Sequence, residues 1–390
     1  MLKGFIDYKN GKIPFVVEGY IMELFSEDYL LNDFISEKNF KTNFVIQGYC
    51  DLNGIFCKKG TFLVEKSIGN TCYLSCYIIN MSTKEDYDTI RIQSSFLDDI
   101  FKYSYNYIDE ARKGTNLSLK QKEIYSMDFS ALNKNHKVKF RIGYNSKLGI
   151  LEDLDRRGEL IISPISNKIK NIYKLIKILH RFSMFMTSQS DVRFKEIILY
   201  KNDIRVGFLY CPMIEYDKIS TETIIFKDFD IMKYVPKILN NLALDSGNKI
   251  KNSIPLGHLG NADSKFLSQR FLEQIISFEY LLHKLNPKMA TGKYKPLKIE
   301  LSYMFKKFSK YFKTDISFDD ISEKIAKLRN NITHGHFYYY DFKDYDEIKH
   351  LMILMDKLIK IMSLSTMGFT NDEIKNFPTL FYDLKYKNYN

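Results

Sequence analysis

Over roughly the first 165 residues, apolar positions come in short dense runs. Residues 15–25, 43–50, 55–65 and 72–80 are rich in Val, Ile, Tyr, Phe and Cys, types that suit a pleated, half-buried surface. Turn chemistry separates them at Asn10-Gly11, Asn53-Gly54 and Gly69-Asn70. Asn53-Gly54 gives the strongest hairpin signal, because both residues tolerate the positive φ of a type I′ turn. Further strands are expected over 89–94, 124–129 and 137–144. Such a series of short strands predicts an antiparallel sandwich or a distorted barrel. A helix is expected at 168–186, where Ile169, Ile172, Tyr173, Ile176 and Leu179 repeat at helical spacing. Residues 192–210 then read as a hairpin with Asn202-Asp203 at its turn, closed by Pro212, and 221–226 as one more strand.

After about Tyr234 the period changes from two to that of a helix. Ile238, Leu239, Leu242 and Leu244 form a first short apolar face, and a polar loop is expected over 246–263. Helices are predicted at 264–285, 297–312, 319–332 and 345–367. Asn286-Pro287 is placed to stop the first, and Gly368 to end the last. The fold class read from this pattern is α+β. A β-rich domain over residues 1–232, with a helix near 168–186, precedes an α-helical bundle over 233–390.

A content of 45% apolar and 15% aromatic residues is that of a folded chain, not a disordered one. The net charge is +11, which favours polyanionic partners. Residues 241–390 hold 23 Lys and Arg against 17 Asp and Glu, so this basicity is not confined to one half. The five cysteines, at 50, 57, 72, 76 and 211, include no Cys-x-x-Cys pair and no companion ligands at zinc spacing. Cys72 and Cys76, evenly spaced in an alternating run, are expected on one strand face, and all five as buried thiols of a reducing compartment. The N-terminus lacks the apolar core of a signal peptide. The most apolar helix is interrupted by Lys170, Lys174, Lys177, His180 and Arg181, so no membrane span is expected. The expected location is the cytoplasm.

One stretch carries chemistry: Lys327-Leu328-Arg329-Asn330-Asn331-Ile332-Thr333-His334-Gly335-His336. Ile321, Ile325, Leu328 and Ile332 form the buried stripe of a helix, and Arg329 and Asn330 project from another sector near its end. His334 comes at the exit, with Gly335 placed to cap it. Arginine presents a planar, permanently charged fork that matches phosphate. Histidine exchanges protons in the working pH range. Together they suit RNA cleavage without a metal or other cofactor. The 2′-hydroxyl attacks phosphorus with proton transfer to histidine, arginine stabilises the phosphorane, and a 2′,3′-cyclic phosphate and a 5′-hydroxyl result. Ten arginines and seven histidines give about 0.5 chance matches to the bare spacing, so the neighbouring residues carry much of the weight. The bland reading makes Arg329 a helix-terminal cation favoured by the macrodipole and His334 an ordinary cap.

Arg329-Asn330 followed by His334-Gly335 resembles the R-x4–6-H motif of HEPN ribonucleases, over roughly residues 235–370. The whole chain resembles the ApeA-type anti-phage proteins, in which a β-rich region precedes a HEPN domain. Residues 43–63, with Phe-Val-Ile-Gln-Gly and Gly-Thr-Phe-Leu, and the helix-then-hairpin of 168–210 are similar to that region. The resemblance implies an abortive-infection endoribonuclease that works as a homodimer, two motifs facing each other to build one cleft. It implies RNA as substrate, with tRNA as one such target, and a phage-derived protein as trigger at the N-terminal domain. Arg329, Asn330 and His334 carry over to the motif positions. His336 also fits the spacing, and His334 is preferred because Gly335 follows it. Glu279, on helix 264–285, is a candidate to salt-bridge an arginine of the site.

Other features have two readings each. Lys306, Lys307, Lys310 and Lys313 recur near helical spacing, as a phosphate track or a solvated face. Tyr338, in the run from His336 to Tyr340, could stack a base or simply pack. Arg156-Arg157, after three acidic residues, reads as a charged loop. No aspartate-rich two-metal cluster and no Gly-rich phosphate loop is recognisable. The alternative function is a non-catalytic HEPN module that binds nucleic acid or protein.

Overall fold

The computed structural model of the chain describes residues 1–25, 29–38, 41–52, 55–81, 86–94, 97, 122–146, 154–187, 192–214, 234–244, 268–290, 296–312, 316–334 and 342–375. The chain divides into two units, Met1–His180 with Arg193–Glu222, and Arg181–Val192 with Thr223–Asn390. The first is built on an antiparallel sheet and the second on helices, so the class is α+β. Residues 181–192, inside the stretch expected to be N-terminal, group with the helical unit.

The first unit starts with β1 (Leu2–Tyr8), β2 (Gly11–Glu18), β3 (Ile21–Leu24), a helix α1 (Tyr29–Lys38), β4 (Phe44–Leu52), β5 (Ile55–Ile68) and β6 (Thr71–Asn80). Their order is β3-β2-β1-β4-β5-β6, and pairing of β3 with β6 closes the ring into a six-stranded barrel. Inward positions such as Ile13, Phe15, Val17, Phe62 and Val64 fill it, and Leu31 and Phe34 of α1 join the same core. Gly4 is required at the β1–β4 contact, since a Cβ there would lie 2.1 Å from the Tyr49 carbonyl oxygen. The apolar run 15–25 is a hairpin, not one strand: Gly19 takes φ +57° and turns the chain between β2 and β3. The first turn also falls one residue earlier than expected, at Lys9-Asn10, leaving Gly11 to start β2.

A bulge in the middle of the β5–β6 pairing decides how the sheet continues. Cys72 and Leu74 belong to the barrel core, yet further along β6 it is Ile79 that does so, with Tyr77 packed against it. The parity inverts around Ser75, beside register shifts at Leu63/Val64 and Val64/Lys66, as an extra residue in one strand dictates. Cys72 and Cys76 therefore lie on opposite faces, correcting the even-spacing expectation. The inversion also divides one edge of β6. Thr71–Tyr73 pair with β3, while Tyr77–Asn80 pair with β12 (Ile204–Tyr210).

From β12 the sheet runs on through β11 (Glu196–Lys201), β7 (Thr89–Gln93), β10 (Leu154–Ser163), β9 (Lys134–Ser146) and β8 (Lys122–Ala131). Asn202 and Asp203 both take positive φ, 48° and 62°, as the β11–β12 turn requires. Arg156 and Arg157 lie in β10, paired with Tyr144 and Gly143, and not in a loop. Five charged residues among 152–157 hid a strand whose ladder is made by backbone groups. α2 (Ile169–Thr187) follows β10, and its Tyr173 side chain hydrogen-bonds with that of Ser75. Asn53-Gly54 lies outside the described residues, although Leu52↔Ile55 pair on either side of it. The expected strand at 221–226 and loop at 246–263 also lie outside them.

The second unit contains α3 (Val235–Leu244), α4 (Ser268–Leu285), α5 (Pro287–Ala290), α6 (Leu297–Lys307), a 3-10 turn (Ser309–Tyr311), α7 (Phe318–Thr333), α8 (Phe342–Thr366) and α9 (Asn371–Lys375). α4 packs on α8 and on α7, and α6 packs on α7. The buried stripes are those the periodicity marks, with Phe271, Ile275, Phe278 and Leu282 of α4 each at most 3% exposed. The helix expected over 297–312 ends at Lys307, where Phe308 leaves helical geometry. Pro287 does stop α4 but also opens α5, its missing N–H being no loss at a first helical position. Among the described residues, no helix is long and apolar enough to cross a membrane.

Candidate active site

α7 is fixed at both ends by its own sequence. Ser317 is its N-cap: Oγ accepts the Asp320 N–H at 3.1 Å and donates to the Asp320 carboxylate at 2.7 Å. Asp319 and Asp320 place negative charge at the positive end of the helix dipole. Ile321, Ile325 and Leu328 are buried, and the hydroxyl of buried Ser322 donates to the Phe318 carbonyl. This stripe sets the rotation of the helix, and so the sector from which Arg329 and Asn330 project.

The last turn brings the motif together. Arg329 is half-buried, and its Nη1 donates to Asn330 Oδ1 at 3.1 Å. Asn330 and His334 are exposed. His334 is the C-cap, with φ −97°, and its N–H donates to the Asn330 carbonyl at 3.0 Å. The Thr333 hydroxyl donates to the carbonyls of Arg329 (2.7 Å) and Asn330 (3.1 Å). The bonds to Asn330 satisfy one of the carbonyls that a helix end otherwise leaves open. The guanidinium, the Asn330 amide and the imidazole thus issue from six consecutive residues on a turn whose backbone is hydrogen-bonded. A cation able to grip phosphate and a ring able to exchange protons share one surface-exposed helix end. His336 and Tyr338 lie outside the described residues.

The supporting residues divide. Glu279 is half-exposed on α4 and forms no ion pair with Arg329. Lys306 donates to both Asp319 carboxylate oxygens, at 2.9 and 2.8 Å, and the Ser302 hydroxyl donates to the same carboxylate. The Lys306 ammonium therefore braces α6 against the start of α7. Lys310 stays exposed over the Tyr311 ring, 5.2 Å from its centroid. Glu323 is held by Lys298 (2.6 Å) and Lys327 (2.8 Å), whose hydrogen bonds bring its carboxyl down to about 2. Lys324 bonds Glu347 of α8. α7 is thereby tied to α6 and to α8 along its polar side.

Two groups escaped sequence reasoning. His350 of α8 sits beside the Lys324–Glu347 pair, and burial lowers its pKa while Glu347 opposes that shift. The signal was its helical spacing, three residues after Glu347. Lys360 of α8 is buried, with Asp356 one turn earlier and the Phe185 ring 5.6 Å from its nitrogen. Gln274 of α4 reaches the same place, donating from Nε2 to Asp356 Oδ1 (2.5 Å) and to the Met352 carbonyl (3.1 Å). No spacing rule singles out one buried lysine among many surface ones. Among the described residues, no group of three or more His, Cys, Asp or Glu is placed to hold a metal ion.

Comparison with known proteins returns no match: no family model, no curated protein and no solved structure matches the chain.

Proposed function

We propose that this protein is a metal-independent HEPN endoribonuclease of the ApeA type, acting in the cytoplasm in anti-phage defence by abortive infection. The observation that carries the reading is the last turn of α7, where Arg329, Asn330 and His334 are gathered at an exposed helix end. A helical unit and a separate β-rich unit in the expected order also support it. In the proposed reaction, the RNA 2′-oxygen bonds to phosphorus as its proton passes to His334. The phosphorus–O5′ bond then breaks and the 5′-oxygen takes up a proton, leaving a 2′,3′-cyclic phosphate and a 5′-hydroxyl. Arg329 donates to the non-bridging oxygens as charge builds on them, and Asn330 aligns the guanidinium. A second copy would bring its own motif to the cleft, and tRNA is the substrate first to be tested. The β-rich unit would receive the phage-derived trigger.

The same turn favours one other reading. Its Thr333 and His334 hydrogen bonds give motif residues a capping role that a non-catalytic binding module would also need. Induced expression of wild type, Arg329→Ala and His334→Ala, with and without phage, separates the two. Growth and small-RNA integrity are read together. Cleavage by the wild type alone, leaving cyclic-phosphate ends, is the expected result. Intact RNA throughout, with phage resistance unchanged in folded variants, would make the protein a binding module.

A further inference from the structure

The sheet of the first unit closes on itself at one end, where β3 pairs with β6, and stops at β8 at the other. Among the described residues, β8 pairs with β9 alone. The register shift at Glu123/Tyr125 falls near its start, and residues 125–131 then run without interruption opposite 134–140. Open strand edges are ordinarily guarded by proline, lysine, inward-pointing charges or bulges. Residues 125–131, Tyr-Ser-Met-Asp-Phe-Ser-Ala, contain no proline and no lysine, and their single charge, Asp128, is exposed.

The hairpin turn decides which backbone groups face outward. Leu132 and Asn133 take φ 53° and 61°, the type I′ conformation of a two-residue loop. The pair flanking such a turn, here Ala131↔Lys134, exchanges both its hydrogen bonds, and so does every second pair beyond it. The backbone groups of Ala131, Phe129 and Met127 are thus spent on β9. Those of Ser126, Asp128 and Ser130 point to the open edge. Met127 and Phe129 turn their side chains to the core, while Asp128 and Ser130 are exposed and Ser126 is half-buried.

A further strand must set its own outward-facing groups opposite these three. The same strand of a second copy does so, running antiparallel. A two-fold axis at Met127 sets Ser126 opposite Asp128 of the second copy, twice, and Met127 opposite itself. The Ser126 hydroxyl, unengaged within the described residues, then meets a carboxylate. Moving the axis to Asp128 sets two carboxylates directly opposite each other, which is destabilising. Moving it to Phe129 sets Asp128 opposite Ser130, whose hydroxyl already donates to Asn135 Oδ1 at 2.7 Å. We infer that β8 is a self-association edge, through which two copies of the chain join their sheets by antiparallel β8–β8 pairing about an axis at Met127. Such an isologous contact closes at two copies and uses up the open edge of both. The inference stands apart from the nuclease reading, since it uses no residue of the helical unit.

The test is disulfide trapping in the full chain, with sedimentation equilibrium as the measure of association. Ser126→Cys and Asp128→Cys proteins are prepared separately, mixed and oxidised with glutathione disulfide, and wild type is the control for the native thiols. The mixture should yield a linked dimer, and either variant alone or wild type little, because only positions 126 and 128 lie directly opposite at a spacing a disulfide can bridge. Ser126→Pro removes an outward N–H without touching the β9 ladder, and it should weaken association about tenfold or more while the fold melts as before. Ser126→Asp, which opposes Asp128 with a like charge, should also weaken association, and Ser126→Lys should not. The inference is overturned if the mixture yields no more linked dimer than the single variants. It is overturned equally if Ser126→Pro and Ser126→Asp associate as wild type does, since the contact then lies on another surface.

Discussion

Replacing Lys360 by methionine should make the helical unit more stable, and the gain should depend on pH. The ammonium is in the core of α8, where burial brings its pKa from 10.5 to about 7, with Asp356 opposing the shift. At 1.36 kcal/mol per tenfold change, that depression bounds the penalty on the charged form at about 5 kcal/mol. Asp356 keeps the Gln274 hydrogen bond when the lysine is gone, and methionine matches the length of the alkyl stem. A gain of about 1–4 kcal/mol is seen when a whole buried ion pair gives way to apolar side chains. Here Asp356 stays behind but is half-exposed, so the expected gain at neutral pH lies at the lower end of that range. The sign of the pH dependence follows from linkage. The folded pKa lies below the unfolded one, so between about 7 and 10.5 the unfolded chain binds more protons. Wild-type stability should rise with pH across that window, and the Lys360→Met curve should lack this rise. Lys360→Arg, which cannot shed its charge, should be less stable than wild type throughout. Thermal unfolding followed by far-ultraviolet circular dichroism, where helices dominate, reads all three proteins. A wild type without the rise, together with a methionine variant less stable at every pH, would show that the ammonium is fully compensated in the core and refute the reasoning.

Ser317→Ala removes the side-chain acceptor at the start of α7 and should lower stability by about 1 kcal/mol, with Ser317→Asp close to wild type; equal melting of all three would remove the cap from the account. Gly368 closes α8 with φ +79°, its N–H donating to Ser365 and that of Phe369 to Leu364, the Schellman pattern. Gly368→Ala should cost about 1–2 kcal/mol in chemical denaturation, and an unchanged midpoint would contradict it. Burial pushes the Cys72 thiol up to about 11 and Cys211 up to about 12, and raises Cys76 as well. All three should resist alkylation in the native protein near pH 8 and label in denaturant; mass spectrometry of native-labelled peptides decides it.

Most strands could be located from sequence because their apolar runs and turn residues agree. Gly69-Asn70 and Asn202-Asp203 both sit at the turns the sequence marks. The misses share a cause, since each depends on a partner that one strand does not reveal. The alternation that puts Cys72 inside the barrel also puts Cys76 inside, unless the opposing register of β5 is known. The charges at 152–157 conceal β10, because its neighbours β9 and β7 supply the pairing. The helix α1, which places Leu31 and Phe34 in the barrel core, has only a short apolar face to announce it.

The candidate site was more legible than the fold around it, because it depends on one helix alone. The Ile321, Ile325 and Leu328 stripe fixes the rotation of α7, and Ser317 fixes its start. Once both are set, Arg329, Asn330 and His334 must fall in the last turn, whatever else the unit does. The surrounding charges are another matter. A lysine at helical spacing looks the same in sequence whether it meets solvent, phosphate or a carboxylate. Asp319, presented by the N-terminus of α7, takes up Lys306, while Lys310 stays over its aromatic neighbour. An RNA backbone approaching α6 would have to compete with Asp319 for Lys306. Of the two lysines, Lys310 is therefore the better placed to serve phosphate, and substituting it should weaken RNA binding without loosening α7, whereas substituting Lys306 should do both.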